Sequence, residues 1–121
     1  MWVTKGARDT QAGIKAELMV WFNNTVHYNY RDKPTVRVDR QEWYVTHWGK
    51  PVPGNRTYVQ FRLVHPIDRV HARNMKLTPF YRAAERLGYV KRWWYMQSLE
   101  AGFEIWSNGT GLATTWFKAH L

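Results

Sequence analysis

Cysteine is absent from the 121-residue sequence, which excludes disulfide bonds and thiolate metal ligands and leaves the redox compartment open. No apolar run reaches the roughly 20 residues that a membrane-spanning helix needs. The N-terminal residues MWVTKGARDT lack the apolar segment of a secretion signal, so we expect no such signal within this chain. The five histidines have no metal-ligand spacing, and we expect neither a metal nor a cofactor.

Aromatic side chains and positive charges are abundant instead. Eight tryptophans are more than the core of one small domain needs, so some of these rings are expected to have a role other than core packing. The formal net charge of +9 favours a polyanionic partner in general. The basic residues are scattered and no RNA- or DNA-binding signature is present, so nucleic acid is not the expected partner. The length predicts a single domain over residues 1–121.

Short segments with two-residue periodicity predict a strand-rich fold. The expected strands are residues 16–22, a hairpin at 35–49 that turns around Asp39–Gln41, and residues 56–65, 92–106 and 111–121. Residues 50–55 contain two prolines and a glycine and are expected to form a loop. The predicted class is all-β and mainly antiparallel, a β-jelly-roll or curved β-sandwich with one helix at about 78–88.

That helix has recognisable start and stop signals. Thr78 is the expected N-cap and Pro79 the first helical residue, while Gly88 ends the helix. Its apolar stripe, expected to face the core, is Phe80, Ala83, Ala84 and Leu87.

Two predicted strands carry glutamate beside tryptophan on one face. In AELMVWF, alternation places Glu17, Met19 and Trp21 on the same side of the strand. In EAGFEIW, it places Glu104 with Trp106 and also with Glu100, which we expect to be solvated or paired with a lysine or arginine.

These two stretches resemble glycoside hydrolase family 12, which contains endoglucanases and xyloglucanases. AELMVWFNN is similar to the strand of that family that carries the nucleophile, and WYMQSLEAGFEIWSNGTGLATTWF is similar to its acid/base strand and the strand that follows. The hairpin sequence RQEWYVTHWG and the helix occur between them in the family's order. The resemblance covers most of residues 7–121.

The resemblance implies two curved antiparallel sheets with a cleft, and retaining hydrolysis of β-1,4-glucan outside the cell. By the same resemblance Glu17 is the nucleophile and Glu104 the general acid/base, Met19 and Trp21 line the cleft, and Trp106 forms part of its wall. A retaining enzyme needs its two carboxyl groups about 5–5.5 Å apart. Neighbouring strands that present a glutamate on one face can meet that requirement.

Only 16 residues precede Glu17, whereas the family has about half of its domain before that point. We therefore expect residues 1–121 to correspond to the C-terminal half of the catalytic domain, incomplete as a single chain. The missing strands would come from a second chain, a homodimer or the remainder of a longer protein. Two other functions stay open: a non-catalytic carbohydrate-binding or structural β-sandwich module, and a basic protein that binds nucleic acid or another polyanion.

Overall fold

A computed structural model of the protein describes residues 1–8, 13–24, 29–49, 56–67, 75–102 and 110–118. These residues form one open, curved six-stranded sheet and one helix. The elements are β1 (Trp2–Thr4), β2 (Ile14–Trp21), β3 (Thr35–Val38), β4 (Gln41–Trp48), β5 (Thr57–Leu63), α1 (Thr78–Arg86) and β6 (Tyr95–Ser98).

The strands lie in the order β3-β4-β5-β2-β1-β6. All neighbours are antiparallel except β2 and β5, which run parallel because the hairpin β3–β4 separates them along the chain. The predicted class, an all-β and mainly antiparallel jelly-roll-like fold with one helix, is confirmed.

The predicted hairpin is also confirmed, and its turn has a clear stereochemical cause. Val38 pairs with Gln41 across a two-residue connection. Asp39 and Arg40 in that connection have φ angles of 49° and 66°. Positive φ at both central residues gives a turn whose twist matches that of the flanking strands.

The core lies between one face of the sheet and α1. Phe80 is 1% exposed, and its ring packs edge-on against Trp43 at 5.0 Å and against Phe61 at 5.3 Å between centroids. Ala83 and Ala84 are fully buried beside it, as the helical stripe predicted. Alternate residues of the strands complete this core: Val3, Ala16, Leu18, Trp43, Val45, Val59, Phe61 and Leu63.

The start of the helix differs from the prediction. Leu77 is the N-cap and no side chain caps the helix, because Thr78 is already its first residue. Pro79 consequently lies one position further in, where its missing N–H is still harmless. The end is as expected, since Gly88 follows the helix with a φ of +81°.

The predicted strand at 92–106 is confirmed only over Tyr95–Ser98, and the predicted strand at 111–121 is wrong over its described residues. Of residues 92–102, only Tyr95–Ser98 are strand, because β1 is the partner of β6 there and β1 has three residues. Residues 110–118 contain no strand, since no described neighbour pairs with them, and Trp116 is 72% exposed. The predicted loop at 50–55 lies outside the described residues.

Among the described residues, no helix is both long and apolar enough to span a membrane.

Candidate functional site

The sheet face opposite α1 carries polar and aromatic side chains. Successive side chains of a strand point to opposite faces, so the residues that alternate with the core residues share this second face. We call it the glutamate face; its members are Trp2, Glu17, Met19, Trp21, Tyr44, Thr46, Trp48, Tyr58, Gln60 and Arg62.

Glu17 lies in the middle of a row that crosses this face. The strand register places it beside Trp2 of β1 on one side and beside Tyr58 of β5 on the other. Tyr58 is in turn paired with Trp48 of β4. Because neighbouring strands are about 4.8 Å apart, this row places a half-buried carboxylate between aromatic rings.

A second carboxylate approaches the same row from beyond β6. The indole Nε1 of Trp2 donates a 3.0 Å hydrogen bond to Oε1 of Glu100. Burial lowers the pKa of the Met1 ammonium, and the negative charges of Glu17 and Glu100 both oppose that shift. Two carboxylates therefore act on one cationic group at this end of the row. Glu100 is exposed as expected, but its observed partner is an indole N–H rather than a lysine or arginine.

The other end of the row offers a flat aromatic surface. The rings of Trp48 and Tyr58 stack at 5.8 Å with an interplanar angle of 7°. Trp48 remains 49% exposed. Trp48, the exposed ring of this parallel pair, can hold a flat ligand that has apolar ring faces and hydroxyl edges.

The surroundings of Met19 and Trp21 are fixed by polar and ring contacts. Met19 is in register with Gln60, whose Oε1 accepts a 3.1 Å hydrogen bond from the Thr46 hydroxyl. Trp21 is in register with Arg62. The Arg62 guanidinium lies 4.4 Å from the ring centroid of Tyr30, which holds this cation in place beside the indole.

The structure thus brings three of the five predicted site residues together. Glu17, Met19 and Trp21 lie on one face, as their alternation predicted. Glu104 and Trp106 lie outside the described residues. Within the described part of the chain, no group of three or more histidine, cysteine, aspartate or glutamate residues could hold a metal ion.

Sequence reasoning missed the three aromatic residues that share the row with Glu17, namely Trp2, Tyr58 and Trp48. The available signal is alternation: within β4 and β5, Trp48 and Tyr58 alternate with buried residues and so face away from the core. It could not indicate that they share a row with Glu17, because that depends on the register between strands that are distant in sequence.

A family model matches this chain, and two solved structures resemble it. The family model described as Glycosyl hydrolase family 12 matches residues 1–121. Among solved structures, endoglucanase cel12A from Rhodothermus marinus is similar with a TM-score of 0.63 and 24% identity, over 79% of this chain and 41% of that one. A metagenome-derived glycoside hydrolase family 12 endoglucanase is similar with a TM-score of 0.61 and 24% identity, over 79% and 41%. The chain spans less than half the length of these structures, and at this identity the likeness establishes the fold. No curated protein matches the chain.

Proposed function

The chain belongs to glycoside hydrolase family 12, and from this membership we propose that it forms the C-terminal part of a retaining hydrolase of cellulose-type β-1,4-glucan. In this proposal Glu17 is the nucleophile and Glu104 is the general acid/base. Met19 and Trp21 contact the substrate beside Glu17, and Trp106 forms a wall of the cleft.

The chemistry requires two steps on one sugar. The carboxylate of Glu17 forms a bond to the anomeric carbon while the bond to the leaving oxygen breaks, and Glu104 gives that oxygen its proton. Water then attacks the same carbon, transfers a proton to Glu104 and releases Glu17. The first residue must be ionised and the second protonated, which is why both belong in a partly enclosed site.

One observation carries the proposal: Glu17 lies at the centre of a row of rings on the helix-free face. A glucan chain laid across this face would meet Trp48 and Tyr58 on one side of Glu17 and Trp2 on the other. The apolar C–H faces of glucose rings pack favourably on indole and phenol rings. The arrangement therefore supports binding of several sugars with one glycosidic bond near the carboxylate.

Trapping of the covalent intermediate tests the role of Glu17 directly. We would incubate the full chain with a 2-deoxy-2-fluoro-cellobioside that carries a dinitrophenolate leaving group. The fluorine slows hydrolysis of the intermediate, and this leaving group departs without a proton. The expected result is a mass increase of one fluorocellobiosyl group, located on the peptide that contains Glu17.

Two variants make the experiment specific. Glu17→Gln removes the attacking carboxylate and should abolish both the label and reducing-sugar release from β-glucan. Glu42→Gln is a matched control, because Glu42 is an exposed glutamate of the same sheet outside the row. Its labelling should stay within twofold of the unmodified chain. A chain that binds cellotetraose but takes no label at Glu17 would overturn the catalytic proposal and favour a non-catalytic carbohydrate-binding module.

A further inference from the structure

A groove lined by basic side chains lies between α1 and the edge of the sheet, separate from the glutamate face. Its volume is about 500 Å³. Arg82 and Arg86 line it from α1, Lys76 from the segment before the helix, and Arg37 from β3, the edge strand. Thr78 and Pro79 complete the lining, so the groove has four cationic residues and no acidic one.

These cations are not neutralised within the part of the chain that the structure describes. None of the four forms an ion pair there. The acidic residue of α1, Glu85, is near Tyr81, whose pKa is raised by burial and additionally by this carboxylate. Glu42 lies across from Arg37 on β4 but does not line the groove.

Holding these charges together costs free energy. Arg82 and Arg86 are four residues apart on α1, a spacing at which like charges repel each other. An anion in the groove would remove this repulsion and would meet guanidinium groups that bind phosphate or carboxylate oxygens in pairs. Four residues of helix rise about 6 Å, so two anionic groups at that separation can each meet one arginine.

We propose that this groove binds a small polyanion that carries at least two phosphate or carboxylate groups. The lining contains no aromatic side chain, so a ligand held by base stacking, such as single-stranded nucleic acid, fits it less well. The site is independent of Glu17, because the groove shares no lining residue with the row that contains Glu17.

Calorimetric titration of the full chain with tripolyphosphate and with trigalacturonate tests the proposal, with neutral cellotriose for comparison. We expect saturable binding of at least one anion, and the tighter probe identifies whether phosphate or carboxylate is the preferred group. Neither anion's affinity should change in the Glu17→Gln variant, so this test can fail or succeed independently of the proposed hydrolase activity.

The decisive variant is Arg82→Glu with Arg86→Glu, which should weaken anion binding at least tenfold. The control is Lys33→Glu with Arg92→Glu, which changes the net charge by the same amount at exposed positions outside the groove and should weaken binding less than twofold. Arg37→Gln should also weaken binding. Because Arg37 lies on β3, its effect cannot be attributed to a folding defect of α1. Equal losses in the two double variants, or no saturable binding of either anion, would overturn the proposal.

Discussion

Phe80 is the side chain that attaches α1 to the sheet, and its removal gives the most direct test of the fold. It is 1% exposed and contacts Trp43 and Phe61 in two edge-to-face ring pairs, with interplanar angles of 86° and 70°. Phe80→Ala should therefore destabilise the chain by about 3–5 kcal/mol, the usual cost of deleting a buried phenyl ring. That is a large part of the 5–15 kcal/mol that typically separates folded from unfolded domains.

Phe80→Leu separates the two contributions to this cost. Leucine keeps most of the buried volume but loses both ring pairs, each of which contributes about 0.5–1.5 kcal/mol beyond its buried area. We expect a loss of about 1–3 kcal/mol for this variant. Arg82→Ala on the exposed face of the same helix is the control and should change stability by less than about 0.5 kcal/mol.

Urea unfolding, followed by tryptophan fluorescence, measures all three variants. Trp43 lies against Phe80, so detachment of the helix should also shift the emission of the folded state. A loss below about 1 kcal/mol in Phe80→Ala would refute the packing of α1 on this face, because a fully buried ring cannot be removed so cheaply. Equal losses for alanine and leucine would refute the division between volume and ring contacts.

Three further outcomes are expected. Burial raises the pKa of Tyr81, whose hydroxyl donates a 2.8 Å hydrogen bond to the Lys91 carbonyl. The neutral Tyr81 side chain therefore stabilises the folded chain fully below about pH 10, the pKa of an unfolded tyrosine. This contribution is lost as the pH rises through the higher pKa of the folded state. In urea titrations, Tyr81→Phe should lose about 1 kcal/mol at neutral pH and show a shallower alkaline decline. Arg40→Gly should raise the melting temperature, with a gain of about 0.5–1 kcal/mol, because it relieves a residue with positive φ; a decrease would contradict the turn geometry. Trp48→Ala should weaken cellotetraose binding about 2–10-fold in calorimetry, whereas Trp93→Ala, exposed and outside the row, should not; equal effects would exclude the stacked pair as a sugar platform.

Local patterns predicted the elements whose causes are local. The hairpin followed from alternation on both sides of a polar turn, and α1 followed from its apolar stripe and terminal signals, although the N-cap was displaced by one residue. The strand predicted at 92–106 was confirmed only over Tyr95–Ser98, and the described part of 111–121 has no strand, because strand formation depends on a neighbour that supplies hydrogen bonds. The β-branched and aromatic residues of Leu112–Phe117 indicate a capacity for strand pairing, and no described strand pairs with them.

In the candidate site, too, the sequence predicted features with local causes and missed those that depend on distant strands. Alternation along β2 was sufficient to place Glu17, Met19 and Trp21 on one face. The ring neighbours of Glu17 come from β1, β4 and β5, and their alignment depends on register across four strands. The hydrogen bond from Trp2 to Glu100 joins residues 98 positions apart, and neither local sequence predicts it.

Because β1 has only three residues, local unfolding of the sheet should begin at the pairing of β1 with β6. In the described part of the chain β6 has backbone partners only on β1, whereas β2 and β5 share six paired residues and β5 is bonded on both sides. Amide hydrogens of Tyr95–Ser98 should therefore exchange with deuterium through brief local opening, long before those of Val59–Phe61. Since Glu100 lies only two residues after the end of β6, each such opening would also carry its carboxylate away from Trp2. The environment of Glu17 would then fluctuate while the centre of the sheet stays closed.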